Sequence, residues 1–161
     1  MTTLYLDMDG VVADFDEYAS RILGPMPPHQ GIYPEEQWQQ IASNPRLYRE
    51  LKKTNYADIL VELATHLCKA KEWELMFLTA VPKANDLKWA FYDKMIWAQL
   101  LFPGIPVMFG PYSKDKWRHC HSGDILIDDR VSNIEEWRSA GGIAIHHTNI
   151  DATLHELSKL Y

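Results

Sequence analysis

The chain has 161 residues, of which 47% are hydrophobic and 24% charged, with a formal net charge of −6. That is the size of one domain with enough apolar residues for a core without staples. The acidic balance excludes a broad surface for a nucleic acid polymer, which needs clustered Lys and Arg, but leaves room for one phosphate in a cleft. Cys68 and Cys120 are far apart and imply no disulfide framework, which favours a reducing compartment. No apolar stretch approaches the ~18 residues of a membrane span. The first residues lack the basic and apolar regions of a signal peptide. The expectation is a cytoplasmic protein with no membrane partner.

Residues 3–6 read as a short buried strand ending at Asp7. In residues 14–23, Phe15, Tyr18, Ala19 and Ile22 recur at helical spacing. Gly24-Pro25-Met26-Pro27-Pro28 breaks that helix. The next thirty residues are polar and aromatic, with Tyr33, Trp38 and Tyr48, and Pro34-Glu35-Glu36-Gln37 suits a helix start. This stretch reads as an insertion. Ile59, Leu60, Leu63, Ala64 and Leu67 then form a helical stripe. A strand over 73–78 ends at Thr79, and a long helix is expected over 84–101. A strand over 106–109 follows, then a strand over 124–127 ending at Asp128-Asp129. Residues 131–140 are helical with Ile134 and Trp137 inward, 142–145 form a last strand, and 152–160 a last helix. Strands separated by long helices predict an α/β fold, a parallel sheet with helices on both faces. Active sites of such sheets lie at the carboxyl ends of the strands. Asp7, Thr79 and Asp128-Asp129 all end apolar runs.

Asp7-Met8-Asp9-Gly10 sets two acids one residue apart after a buried strand. Such a pair offers hard oxygen ligands for Mg²⁺ and a nucleophile beside an acid/base. Gly10 permits a tight turn and close approach of backbone N–H groups to an anion. The plainer reading is an acidic turn. For Thr79 the plainer reading is a buried helix cap, and for Lys114 and Lys116 a pair of solvated lysines. Asp128 and Asp129 beside Asp7 and Asp9 would repel strongly without a cation. Arg130 is placed to orient these acids, and Val131-Ser132-Asn133 to cap the next helix. His119-Cys120-His121 has no second cluster to complete a metal set, and His146-His147 reads as a strand end.

The run Leu6-Asp7-Met8-Asp9-Gly10-Val11-Val12-Ala13-Asp14-Phe15 resembles the first motif of the haloacid dehalogenase superfamily. Its wording is closest to the 5′(3′)-deoxyribonucleotidases and their bacterial and phage relatives. Phe77-Leu78-Thr79-Ala80, Ser113-Lys114-Asp115-Lys116 and Asp124-Ile125-Leu126-Ile127-Asp128-Asp129-Arg130 resemble its other three motifs, in order. The resemblance implies a Rossmann-like core, 1–15 and 71–161, and a small helical cap inserted after the first strand, about 16–70, within a single domain of residues 1–161. It implies that Asp7 attacks phosphorus and that Asp9 protonates the leaving oxygen and then activates water. Thr79 would hold a phosphate oxygen, with Ala80 departing from the family's Thr-Ser pair. Lys116 would pair with the nucleophile and phosphate, and Lys114 would make a secondary contact. Mg²⁺ would be held by Asp7, Asp9, Asp128 and Asp129. Phe15, Trp38, Ala80, Lys114 and Arg130 would face a small phosphate monoester, a nucleoside 5′- or 3′-monophosphate, with aromatic faces stacking on the base. A sugar phosphate as substrate and a catalytically silent nucleotide binder remain as alternatives. Family members dimerise, so a homodimer is a further expectation, without an evident interface in the sequence.

Overall fold

A computed structural model describes residues 1–25, 33–83 and 87–161. Five strands form one parallel sheet in the order β3-β2-β1-β4-β5: β1 Thr3–Leu6, β2 Glu74–Thr79, β3 Val107–Phe109, β4 Ile125–Asp128 and β5 Ile143–His146. β1 and β4 are buried along their whole length, as expected for strands covered on both faces. The period of two is visible in the packing. Leu4, Leu6, Phe77, Ile125, Ile127 and Ile145 enter the larger hydrophobic cluster on one face. Tyr5, Leu78, Leu126 and Ala144 enter the smaller cluster on the other.

The helices are α1 Phe15–Leu23, α2 Glu35–Ile41, α3 Leu47–Glu50, α4 Ala57–Lys71, α5 Ala90–Leu101, α6 Val131–Ser139 and α7 Ile150–Ser158, with a 3₁₀ helix over Ser113–His119. α1 starts at Asp14, whose carboxylate accepts from Glu17 N–H at 3.0 Å. α7 starts two residues before its expected position because Asn149 Oδ1 caps it, accepting from Ala152 N–H at 2.9 Å. Of the helix expected over 84–101, residues 84–86 lie outside the described residues; 87–89 form a turn in which Ala90 N–H donates to Leu87 O at 3.0 Å. Met26, Pro27 and Pro28 of the expected helix breaker also lie outside the described residues. α3 and the 3₁₀ helix had no periodicity to announce them: each is too short to show a repeat.

The chain leaves the core at Asp14 and returns at Lys52. Asp14 N–H donates to Lys52 O at 2.8 Å and Thr54 N–H to Val12 O at 2.9 Å, so the two crossings are tied together. The excursion between them carries α1, α2 and α3. α4, expected within an insertion ending near 70, instead packs on β2 and α7. Of the apolar stripe read from its sequence, Leu60, Ala64 and Leu67 are fully buried and Leu63 partly so, while Ile59 falls on the outer side of the helix and is exposed.

On the opposite face α6 carries Trp137, fully buried, edge-on to Tyr5 with ring centroids 5.4 Å apart and its Nε1–H donating to Asp124 O at 3.1 Å. A Cβ on Gly142 would collide with that indole, so the close approach needs glycine. Trp137→Ala is expected to destabilise the fold by about 3–5 kcal/mol, seen as a lower urea midpoint at unchanged slope.

Candidate active site

β1 lies at the centre of the sheet, beside both β2 and β4. Connections run from β1 outward through β2 to β3, then cross to β4 and β5 on the other side, which makes the β1/β4 boundary the switch point of the sheet. Asp7 leaves β1 with its N–H donating to Ile127 O at 2.9 Å, which sets it level with Asp128 at the end of β4. Asp7, Asp128 and Asp129 each offer a carboxylate oxygen within 4.8 Å of the others. Among the described residues no other trio of acidic, His or Cys groups converges in this way.

The 3₁₀ helix delivers the opposing charge. Lys116 Nζ is 2.7 Å from Asp7 Oδ1 and 2.7 Å from Asp128 Oδ2, and only 2% of the residue is exposed. Lys114, two residues earlier, is exposed at the cavity rim. Asp128 is held further by Arg130 N–H to Oδ1 and Asn133 Nδ2 to Oδ2, both at 2.9 Å, and Asn133 Oδ1 accepts from Ser113 Oγ at 2.9 Å. One expectation changes here. The Arg130 backbone N–H holds Asp128, and Asn133 uses its amide on the acid rather than as a helix cap; the N-cap position of α6 is Arg130, with no side-chain cap bond.

The loop after β1 is closed by the Met8 carbonyl, which accepts from the N–H groups of Val11, Val12 and Ala13 at 3.2, 2.9 and 2.8 Å. Gly10 sits in it at φ +80°, and a Cβ there would strike the Asp129 carboxylate. Its N–H donates to Ala13 O, so what approaches Gly10 closely is a carboxylate and not an anion on its amide. Asp9 Oδ2 takes Lys94 Nζ from α5 at 2.6 Å, while Asp9 Oδ1 is buried with no hydrogen-bond partner among the described residues. Lys94 also donates to Thr79 Oγ1 at 2.9 Å. Thr79 falls on the α5 side because it follows Leu75 and Phe77 at period two on β2. It is fully buried and does not line the cavity.

Above the acids opens a cavity of about 520 Å³. Asp7, Asp9, Ala80, Lys114, Lys116, Asp129 and Arg130 line it, and Phe15, Tyr33, Trp38 and Tyr48 form an aromatic wall. Phe15 is the hub of that wall: its ring centroid is 5.9 Å from Tyr33, 6.3 Å from Tyr48 and 6.5 Å from Trp38, the last nearly parallel at 18°. Asp128 lies beneath the cavity floor, fully buried. Lys83, Tyr112 and Asn133 also line the cavity and lacked a signal in the sequence. Lys94 did have one: Asp93-Lys94 is the sole charged pair in the helix sequence AFYDKMIWAQLL. Among the described residues no histidine lines the cavity. His119 Nε2 meets Gly110 O at 3.2 Å, His146 Nε2 meets the Asp129 backbone O at 2.9 Å, and His147 Nδ1 is 2.7 Å from Thr153 Oγ1.

One ammonium does not neutralise three crowded carboxylates. Burial, then Asp128, pushes the Asp7 carboxyl up to about 7 against the opposing pull of Lys116. Burial, then Asp7 and Asp128, pushes Asp129 up to about 8. Burial alone would lower the Lys116 ammonium, but Asp128 and Asp7 reverse this and hold it above its usual value. An all-oxygen donor set with excess negative charge fits a hard divalent cation, with Asp7, Asp128 and Asp129 as ligands.

No protein-family model and no curated protein sequence matches this chain. Among solved structures, a hydrolase from Streptococcus pneumoniae TIGR4 aligns over 97% of this chain and 97% of its own, at a TM-score of 0.54 and 14% identity. At that identity the likeness shows the shared α/β fold alone.

Because Asp7 and Asp129 bind protons more tightly folded than unfolded, their stabilising contribution is full below pH 3.8 and is lost as pH rises through about 7 and about 8. In EDTA, thermal midpoints of the wild type are expected to fall across that window more steeply than those of Asp129→Asn, which removes one of the two titrations.

Proposed function

We propose that the protein is a Mg²⁺-dependent phosphomonoesterase of the haloacid dehalogenase type, acting through an aspartyl-phosphate on Asp7. The observation that carries this is the convergence of Asp7, Asp128 and Asp129 within 4.8 Å, with Lys116 bridging two of them at the floor of a cavity. The hydrolase reported for the Streptococcus pneumoniae structure of the same fold agrees with a hydrolytic reaction.

In this reading a carboxylate oxygen of Asp7 attacks phosphorus and the ester P–O bond breaks. The leaving oxygen takes the electron pair and receives a proton from Asp9. Asp9, now a carboxylate, removes a proton from a water molecule that attacks the same phosphorus. Inorganic phosphate departs and Asp7 is restored. Lys116, fixed by Asp128 and Asp7, supplies positive charge where the phosphate oxygens gather. Bound Mg²⁺ would offset the phosphate and carboxylate charge and favour the ionised form of Asp7.

The aromatic wall supports a nucleoside monophosphate as substrate. Phe15, Trp38, Tyr33 and Tyr48 give π faces within the same cavity as the acids, and a base stacked on such a face gains about 1–3 kcal/mol. The cavity volume suits a nucleotide-sized ligand rather than a folded phosphoprotein.

Phosphate release from deoxynucleoside monophosphates, ribonucleoside monophosphates and sugar phosphates, with Mg²⁺ and with EDTA, tests both parts. Metal-dependent release is expected, fastest from nucleoside monophosphates; release from sugar phosphates alone would keep the chemistry and discard the nucleotide. Asp7→Asn is expected to lower kcat by roughly 10⁴–10⁶-fold. Trp38→Ala is expected to raise KM for a nucleoside monophosphate by about 5- to 100-fold, in line with the loss of one stacking face, while leaving KM for para-nitrophenyl phosphate within a few-fold.

A further inference from the structure

We infer that the outer face of α5 is where two copies of this chain associate, helix against helix about a two-fold axis. α5 is inside out for a surface helix. Both of its charged residues, Asp93 and Lys94, are 1% exposed, while Phe91 is 47%, Tyr92 51% and Met95 41% exposed. Asp93 pairs with Arg46 at 2.6 and 2.7 Å and Lys94 with Asp9 at 2.6 Å, so the charges of this helix are matched inside the chain. Phe91, Tyr92, Met95 and Gln99 stand at i, i+1, i+4 and i+8 and form one stripe. Gln99 is its one polar member, and no charged side chain of α5 is exposed.

Exposed apolar residues elsewhere do not make such a surface. Ile59 is exposed on α4, but Asp58, Glu62 and His66 are exposed around it. The α5 stripe instead continues toward both ends of the helix. Trp89 precedes it, 42% exposed and edge-on to Tyr92 with ring centroids 6.4 Å apart, and Leu100 lies at the other end, 74% exposed. On its flank Phe91 packs on Phe109 of β3 with ring centroids 4.8 Å apart, and β3 is an edge of the sheet, with no strand beyond it among the described residues.

Area, charge and symmetry point to a second copy as the occupant. Aromatic side chains offer ~150–250 Å² each, so Trp89, Phe91 and Tyr92 near half exposure, with Met95 and Leu100, present on the order of 500 Å² of surface. That is the larger part of the ~800 Å² each partner gives to a stable interface. The chain carries a net charge of −6, so two copies repel except where the facing surfaces are uncharged, as this stripe is. The rim of the stripe is positive. Arg46 Cζ lies 4.7 Å from the Trp89 ring centre and Arg49 Cζ 5.5 Å from that of Tyr92; both arginines pair with the single Asp93, which leaves one positive charge to face an acidic partner. The same stacking holds the two rings in place before association, which lowers the ordering cost. An uncharged apolar stripe is complementary to itself, and two-fold pairing covers it on both copies at once.

Sedimentation velocity on the full chain, loaded from about 1 to about 100 µM to bracket a micromolar dissociation constant, is the test. The wild type is expected to reach a species of twice the 18.7 kDa chain mass. Met95→Glu sets like charges against each other across the axis and is expected to raise the dissociation constant at least about 30-fold, and Gln99→Lys, at an exposed polar position, about 10-fold. Ile59→Glu, on α4, is expected to leave association unchanged, and circular dichroism melting checks that each variant folds. A wild type that stays monomeric throughout would overturn the inference, and its binding to phosphatidylcholine vesicles would then give the face to a membrane surface. A dimer that survives both α5 substitutions, or one that Ile59→Glu dissociates equally, would overturn it by placing the contact elsewhere.

Discussion

Lys116 sets one ammonium between Asp7 Oδ1 and Asp128 Oδ2, 2.7 Å from each, in a pocket of protein that water hardly reaches. Taking three carboxylates out of water side by side is costly, and removing the single cation among them would be costlier still. The surrounding structure is arranged around that constraint. The 3₁₀ helix over Ser113–His119 exists where it does to bring the ammonium in, Asn133 and the Arg130 N–H saturate Asp128, and Gly10 leaves out a side chain so that the Asp129 carboxylate fits against the loop. The charge that remains uncompensated is what a hard divalent cation, if bound there, would offset.

A second ammonium plays a different part. Lys94 meets one carboxylate, one hydroxyl and one aromatic face, and belongs to the interior rather than to the cavity. The two lysines divide the acids: Lys116 with Asp7 and Asp128, Lys94 with Asp9. Asp7 and Asp9, two residues apart in the chain, accordingly sit in different electrostatic surroundings. That separation is the general means by which paired carboxylates take distinct roles in one reaction.

The excursion from Asp14 to Lys52 supplies the aromatic wall, but its position is fixed by the core. The crossing strands are hydrogen-bonded at 12–14 and 52–54, and α3 is bolted to α5 through Arg46 and Asp93. Phe15 enters the wall as the first residue of α1, immediately after the capping Asp14, so the loop that shapes the acids also aims the ring. The acids and Phe15, the hub of the aromatic wall, thus belong to one local connection.

The sequence by itself determined the sheet and the ends of its strands. Buried parallel strands are continuous apolar runs, so 3–6, 73–78 and 124–127 stood out, and the polar residues ending them, Asp7, Thr79 and Asp128-Asp129, fell along one edge by the topology rule for such sheets. What only the tertiary structure decided is which side chains meet across that edge. Residue type and spacing do not separate Lys116 from Lys114, which only the family resemblance ranked; the tight turns of a 3₁₀ helix too short to show a repeat bury the first and expose the second. Thr79 reads as a candidate phosphate ligand, but the period of two turns it toward α5, where Lys94 takes its hydroxyl oxygen. Asn133 and Lys94 reach their acids from elements five and eighty-five residues away, and no local pattern encodes contacts of that kind. Periodicity records which face of an element is buried; the pairing of charges depends on where separate elements come to rest against one another.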